Sequence, residues 1–266
     1  MKERYRIAII AGIVVLLIVY AASLAPIPQD LTYHDFADQR TLFGIDTFMD
    51  VFSNLPFLFV GLTGLLLVLR GRASFATASE RWPYVVLFFG VAATSAGSAY
   101  YHLAPSNARL VWDRLPMTFG FMGMLSAVLA ERVNRKLGLL SLPPLVALGI
   151  TSVAYWNATE IGGHGDLRPY LLVQFGSLII LSICLLFFPS RYTGQAWLAF
   201  ALFGYGLAKL LELVDDQVFD ALSIVSGHTL KHLAAAAASY CILEMLKCRE
   251  VISVQTSFRE TTAAAA

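Results

Sequence analysis

Long apolar runs recur along the whole chain, each close to the roughly 20 residues a helix needs to cross the hydrocarbon core of a bilayer. By that criterion there are about eight, at positions 6–25, 51–69, 82–102, 110–129, 137–156, 170–188, 196–214 and 222–246. Lipid offers backbone N–H and C=O groups no partner, so such runs fold as helices that satisfy their own backbone. The expectation is an all-α, polytopic transmembrane helical bundle. Composition agrees, with 58% hydrophobic and 14% charged residues in 266. The formal net charge of +1 says nothing about nucleic acid and no basic tract suggests it, so no nucleic-acid partner is expected. Cys184, Cys241 and Cys248 lie in or beside apolar runs without Cys-x-x-Cys spacing, so neither a disulfide framework nor a thiolate metal site is expected.

Charge asymmetry gives an orientation. Lys2, Arg4 and Arg6, then Arg70, Arg72 and Arg81, Arg132, Arg135 and Lys136, Arg191, and Lys247 and Arg249 all fall on one side of such a bundle. The opposite loops carry Asp30, Asp35, Asp38 and Asp46, then Glu160 and Asp166, then Asp215, Asp216 and Asp220. By the positive-inside rule both termini are cytoplasmic. The expected layout is an N-terminal helix in 1–27, an acidic extracytoplasmic loop in 28–50, a helical core in 51–248 and a flexible cytoplasmic tail in 249–266. The first run also resembles a signal peptide, since basic residues precede it and small residues end it. Its apolar stretch exceeds the usual ~7–15 residues of a signal core, which favours a retained helix. Pro143-Pro144 is a potential kink.

Polar residues inside such runs are costly, and so are candidates for function. His228 and His232 are four apart, on one face of a helix, and Ser98 and His102 are related in the same way. In the eight-span topology His102 ends the third span on the non-cytoplasmic side, and Asp113 opens the fourth there. His228 and His232 begin the eighth at the same face. Three imidazoles with an open fourth position make a common catalytic zinc site. A buried histidine satisfied by a neighbouring helix, a haem pair or a proton relay fits the spacing as well. Lys209 and Glu212, three apart, are expected to pair with each other or to face a lipid headgroup. His34 and His164 read as solvated loop residues, and Asn157-Ala158-Thr159 matches a glycosylation sequon.

At these residues the chain resembles the alkaline ceramidase family, within the CREST group of membrane hydrolases that also includes the progestin and adipoQ receptors. The resemblance spans about residues 46–246. It rests on Phe52-Ser53-Asn54-Leu55-Pro56-Phe57, on Ser98-Ala99-Tyr100-Tyr101-His102, on Trp112-Asp113-Arg114-Leu115-Pro116-Met117, and on the His228/His232 pair. It implies a seven-helix core plus one N-terminal helix, with His102, His228 and His232 as zinc ligands. Ser98 would be the polar group beside the metal and Asp113 the acid–base residue. The implied activity is zinc-dependent hydrolysis of ceramide-like N-acyl lipids drawn from the bilayer, by a multi-pass protein of a bacterial-type inner (plasma) membrane. Family members can carry calcium in the acidic segment before the core. Here Asp35, Asp38, Asp46 and Asp50 offer hard oxygen ligands, with Arg40 among them. Where many members have Asp-Glu, this chain has Asp113-Arg114. A receptor or scaffold that keeps zinc without turnover, and a transporter using His102, Asp113, Lys209 and Glu212, are the rival classes.

Overall fold

The computed structural model describes residues 1–252. Its helices are α1 (Glu3–Ser23), α2 (Phe48–Phe52), α3 (Leu55–Leu69), α4 (Arg81–His102), α5 (Asn107–Arg132), α6 (Arg135–Ile161), α7 (Arg168–Leu171), α8 (Ser177–Phe187), α9 (Ala196–Leu213), α10 (Asp215–Leu222) and α11 (Gly227–Cys248). Isolated bridges apart, the described residues form no strands, and the molecule is a helical bundle.

Six helical segments are long and apolar enough to cross a membrane: Glu3–Ser23, Phe48–Leu69, Ala78–His102, Arg135–Ile161, Arg168–Phe187 and Ala196–Leu213. This is the make-up of an integral membrane protein. The other two of the expected eight, α5 and α11, are 26 and 22 residues long but carry more polar residues. The reason is position. Residues 122–132 of α5 are all buried, so this half of the helix faces other helices and has little need of an apolar exterior. Pro143 and Pro144 sit inside α6, which runs through both without a break. Between α7 and α8 the residues Leu172–Gly176 take a π-helical turn, which sequence periodicity did not disclose.

Three helix starts are fixed by side chains the sequence supplies at the right places. Ser106 accepts from the backbone N–H of Arg109, Asn134 from Leu137, and Ser226 from Thr229, capping α5, α6 and α11. Each cap satisfies an N–H that would otherwise be left without an intrahelical partner. The principal packing is α4 on α5, α5 on α6, α3 on α4 and α9 on α11. At Gly97 the two backbones of α4 and α5 meet so closely that any Cβ would overlap the Trp112 carbonyl. Because Ser98 follows Gly97 and Asp113 follows Trp112, this contact sets those two residues on facing helices. α1 stands at the periphery with only Ile10 and Ala21 buried, touching the π turn and α7.

The basic end of the bundle is tied by buried charge. Arg249 donates to Glu131 at 2.7 Å and to the Tyr84 hydroxyl at 3.1 Å, and Tyr84 itself donates to Glu131 at 2.8 Å. Its guanidinium also lies 4.1 Å from the Tyr192 ring centroid. The expected flexible tail therefore begins later than residue 249. Arg249 is buried, and Val251 bridges Tyr192. The rest of that tail, 253–266, lies outside the described residues.

Candidate metal centre

His102 is the last residue of α4, and His228 and His232 occupy the first two turns of α11. The three converge as the sequence spacing predicted. Their potential ligand atoms all lie within 4.8 Å of one another, and all three rings are buried. Ring centroids are 4.8 Å apart for His102–His228 and 4.9 Å for the other two pairs. Among the described residues this is the one group of three or more His, Cys, Asp or Glu side chains arranged to hold a metal ion.

The residues around the cluster fix its geometry. The Ser53 hydroxyl pairs with Nδ1 of His232 at 2.8 Å, leaving Nε2 of that ring to face the cluster. Asn54 Nδ2 donates to the Asp50 carbonyl at 2.7 Å, closing the turn that carries Ser53. Asp50 Oδ1 accepts from the Thr229 hydroxyl at 2.6 Å, and Asp215 accepts from the His228 backbone N–H at 2.6 Å, so two carboxylates grip the start of α11. Thr47 donates to the His102 carbonyl at 2.8 Å. The Ser-Asn-Leu segment of the chain thus serves to aim one of the three histidines, a role the sequence alone did not assign to it.

Donor chemistry matches a metal. Imidazole nitrogens suit zinc as well as copper, iron and nickel. Nδ1 of His102 is buried without a hydrogen-bond partner, an arrangement that costs free energy unless a ligand takes the lone pair. His228 differs, since its Nε2 lies 2.8 Å from the Lys231 ammonium. Lys231 lies inside the same five-residue motif, three residues after His228, a helical spacing that sets the two side chains side by side.

Phe36 covers the cluster from the loop between α1 and α2. Its ring centroid is 4.4 Å from that of His228 and 4.6 Å from that of His102. That loop was expected to be an acidic, solvated segment, but Phe36, Asp38 and Asp50 within it are buried. His34, read from sequence as solvated, pairs with the Tyr101 hydroxyl at 2.8 Å and with Asn107 at 2.9 Å. His164 is exposed, as expected, and Asn157 lies within α6. Of the four carboxylates considered for calcium, three are engaged within the protein. Asp38 binds Arg40 through both oxygens, at 2.7 and 2.6 Å, Asp46 accepts from Thr41 at 2.5 Å, and Asp50 faces α11. Burial pushes the Asp38 carboxyl up, but the hydrogen bonds and charge of Arg40 outweigh it and hold it below its ordinary range.

Beside the histidines opens a cavity of about 490 Å³. Ser98, Asp113, Lys231 and His232 line it, as do Lys209 and Glu212. Below them its wall is apolar. Leu87, Val91 and Thr94 continue one face of α4, while Ala235, Ala238 and Ile242 continue one face of α11. From Ser98 to Leu87 this face descends about 16 Å at the helical rise of ~1.5 Å per residue, the dimension of an acyl chain. The small side chains of α11 therefore leave room, and Ala238 also lets Gly204 of α9 approach. Lys209 and Glu212 do pair, as expected, but Glu212 also takes Lys231 at 3.2 Å and the Tyr33 hydroxyl at 2.9 Å.

Comparison with known proteins decides no family. No family model matches the chain, and no curated protein matches it. What the site can do is therefore argued from its own chemistry.

Proposed function

We propose that this protein is a zinc-dependent hydrolase of lipid amides, acting within the membrane on ceramide-like N-acyl lipids. The observation that carries the reading is a cluster of three buried imidazoles, one of which, His232, lines a deep apolar cavity together with Ser98 and Asp113. His102, His228 and His232 would hold the ion. A zinc ion so held supplies Lewis acidity and an acidified water.

The chain's own groups supply the rest. The apolar walls on α4 and α11 take the acyl chain and place the amide near the histidines. Asp113 accepts the proton released as water adds to the amide carbonyl. It then delivers that proton to the departing nitrogen, so that amide and water become a fatty acid and a sphingoid-type amine. The Ser98 hydroxyl donates to the developing oxyanion, and loss of such a donor typically costs about 2.7–4 kcal/mol of barrier. Phe36 and Tyr101 keep bulk water from the histidines, which strengthens each polar contact there.

The test is elemental analysis of detergent-purified protein beside hydrolysis of N-acyl sphingosine. About one zinc per chain, lost in His228→Ala, with fatty-acid release abolished in a zinc-retaining Asp113→Asn, supports the reading. Zinc without product from any N-acyl lipid would transfer the protein to the receptor or scaffold class. Protein free of metal after chelator-free purification would remove the hydrolase altogether.

A further inference from the structure

Arg114 follows Asp113 in the chain and lines the same cavity. It is only 6% exposed, so its guanidinium has left bulk water. Arginine keeps its charge at any accessible pH, and a buried guanidinium without a counter-charge is expensive. Among the described residues Arg114 takes part in none of the ion pairs. Its one polar partner is neutral, the side-chain Oε1 of Gln29, which accepts from Nη2 at 2.6 Å. Nη1 is buried with no hydrogen-bond partner in the protein. Aromatic faces hold the group in place, with the Trp156 ring centroid 4.2 Å away and that of Tyr170 4.9 Å away. The guanidinium is clamped in one orientation with one end left over.

The other charges of the cavity do not neutralise it. Glu212 is shared between Lys209, Lys231 and Tyr33. Asp30, at the exposed rim, is held by the Thr32 backbone N–H at 2.9 Å. Asp113, the preceding residue on α5, makes no ion pair with it either. An amphiphile that fills the apolar part of the cavity brings its polar end to this group.

We propose that Arg114 is a specificity-determining residue, which narrows the N-acyl lipids of the proposed function to those carrying an anionic oxygen group, of carboxylate type, on the amine side of the amide, in preference to neutral ceramides. The inference rests on the amide-hydrolase reading for the position of the scissile bond. The anion takes the Arg114 guanidinium where it lines the cavity, while the acyl chain runs down α4 and α11. A neutral hydroxyl in the same place leaves the guanidinium uncompensated.

Binding to detergent-solubilised, chelator-treated protein tests this without turnover, using N-oleoylglycine and N-oleoylethanolamine, which share a chain and an amide and differ in carboxylate against hydroxymethyl. Wild type is expected to bind N-oleoylglycine roughly tenfold or more tightly, the scale of a hydrogen bond to a charged group. Arg114→Gln should abolish that preference, and Arg114→Lys should keep part of it. Equal binding of the two amides by wild type overturns the proposal even if no variant folds. Retention of the preference in a folded Arg114→Gln also overturns it. Acetate or inorganic phosphate competing as well as N-oleoylglycine would overturn the lipid part by showing a site for chainless anions. Zinc-loaded protein is then assayed for glycine and ethanolamine release. No product from either amide or from N-acyl sphingosine, with the binding preference intact, refutes the hydrolase reading and leaves the anion subsite standing.

Discussion

The hydroxyl of Ser53 and Nδ1 of His232 lie 2.8 Å apart, joining residues 179 positions distant in the chain. The bond couples the turn before α3 to the second turn of α11, and it orients the ring whose other nitrogen faces His102 and His228. Partners of this kind commonly change metal affinity by about 10–100-fold when removed. Ser53→Ala is therefore expected to weaken zinc binding by that order while the helical content stays unchanged. Competition against a chromophoric chelator measures it. Unaltered affinity would show that packing alone fixes the ring.

Lys231 predicts a change of the opposite sign. Its ammonium sits 2.8 Å from Nε2 of His228 and lies close to the position of a divalent ion. Removing a positive charge from beside a cation in a low-dielectric site should tighten binding, on the order of tenfold or more. Lys231→Met is the variant, since it keeps most of the stem. Glu212 remains paired with Lys209 and Tyr33 in that protein, so the cavity wall is retained. Weaker binding in Lys231→Met would mean that the lysine supports the cluster instead of competing with it.

At the far end of the bundle, Arg249 and Glu131 are both almost fully buried and joined at 2.7 Å. Removing one member of such a pair leaves the other charge uncompensated and typically costs about 3–5 kcal/mol. Glu131→Leu should therefore lower the unfolding midpoint in detergent sharply. Joint replacement of Glu131 and Arg249 by apolar residues should cost less than the single change. A double variant as unstable as the sum of its parts would count against a coupled pair.

Asp166 gives a pH dependence at the histidine end. Arg168 binds its two carboxylate oxygens at 2.8 and 2.7 Å and holds the carboxyl down at about 2, below its ordinary 3.8. A carboxyl depressed in the folded state stabilises above its unfolded value, and the contribution disappears as pH falls towards the folded value. Wild type should lose stability relative to Asp166→Asn between pH 3.8 and about 2, and differ from it by a constant amount at pH 5 and above. Unfolding midpoints across that interval provide the check. Parallel curves would place the stabilisation elsewhere.

Much of the bundle was legible because hydrophobic length and helical periodicity are local properties. The convergence of His102 with His228 and His232 was legible too, since a helix that enters a bilayer must leave on the other side. Phe36 was not, because an apolar residue in a polar loop carries no periodic signal and its partners lie in α4 and α11. Ser53 stood inside a recognised motif, but hydroxyl contacts depend on rotamer and register that the chain order does not express. The polar character of α5 misleads a hydropathy count for a related reason: its second half is buried against other helices and needs no apolar exterior. Arg249 was assigned to a tail because a charged residue after the last apolar run ordinarily stays in water, and only the meeting of Glu131, Tyr84 and Tyr192 shows why it does not.

The backbones of α4 and α11 stay apart and each helix packs against α3, while His102 meets His228 and His232 across the gap. An ion gripping His102 on one and His228 and His232 on the other would act as a strut between two posts that otherwise lean on a third. Metal loading and the shape of the cavity mouth then become one mechanical variable. Slower backbone amide exchange at the end of α4 and the start of α11 would report the strut, and any lipid that wedges those helices apart would loosen the ion's hold in return.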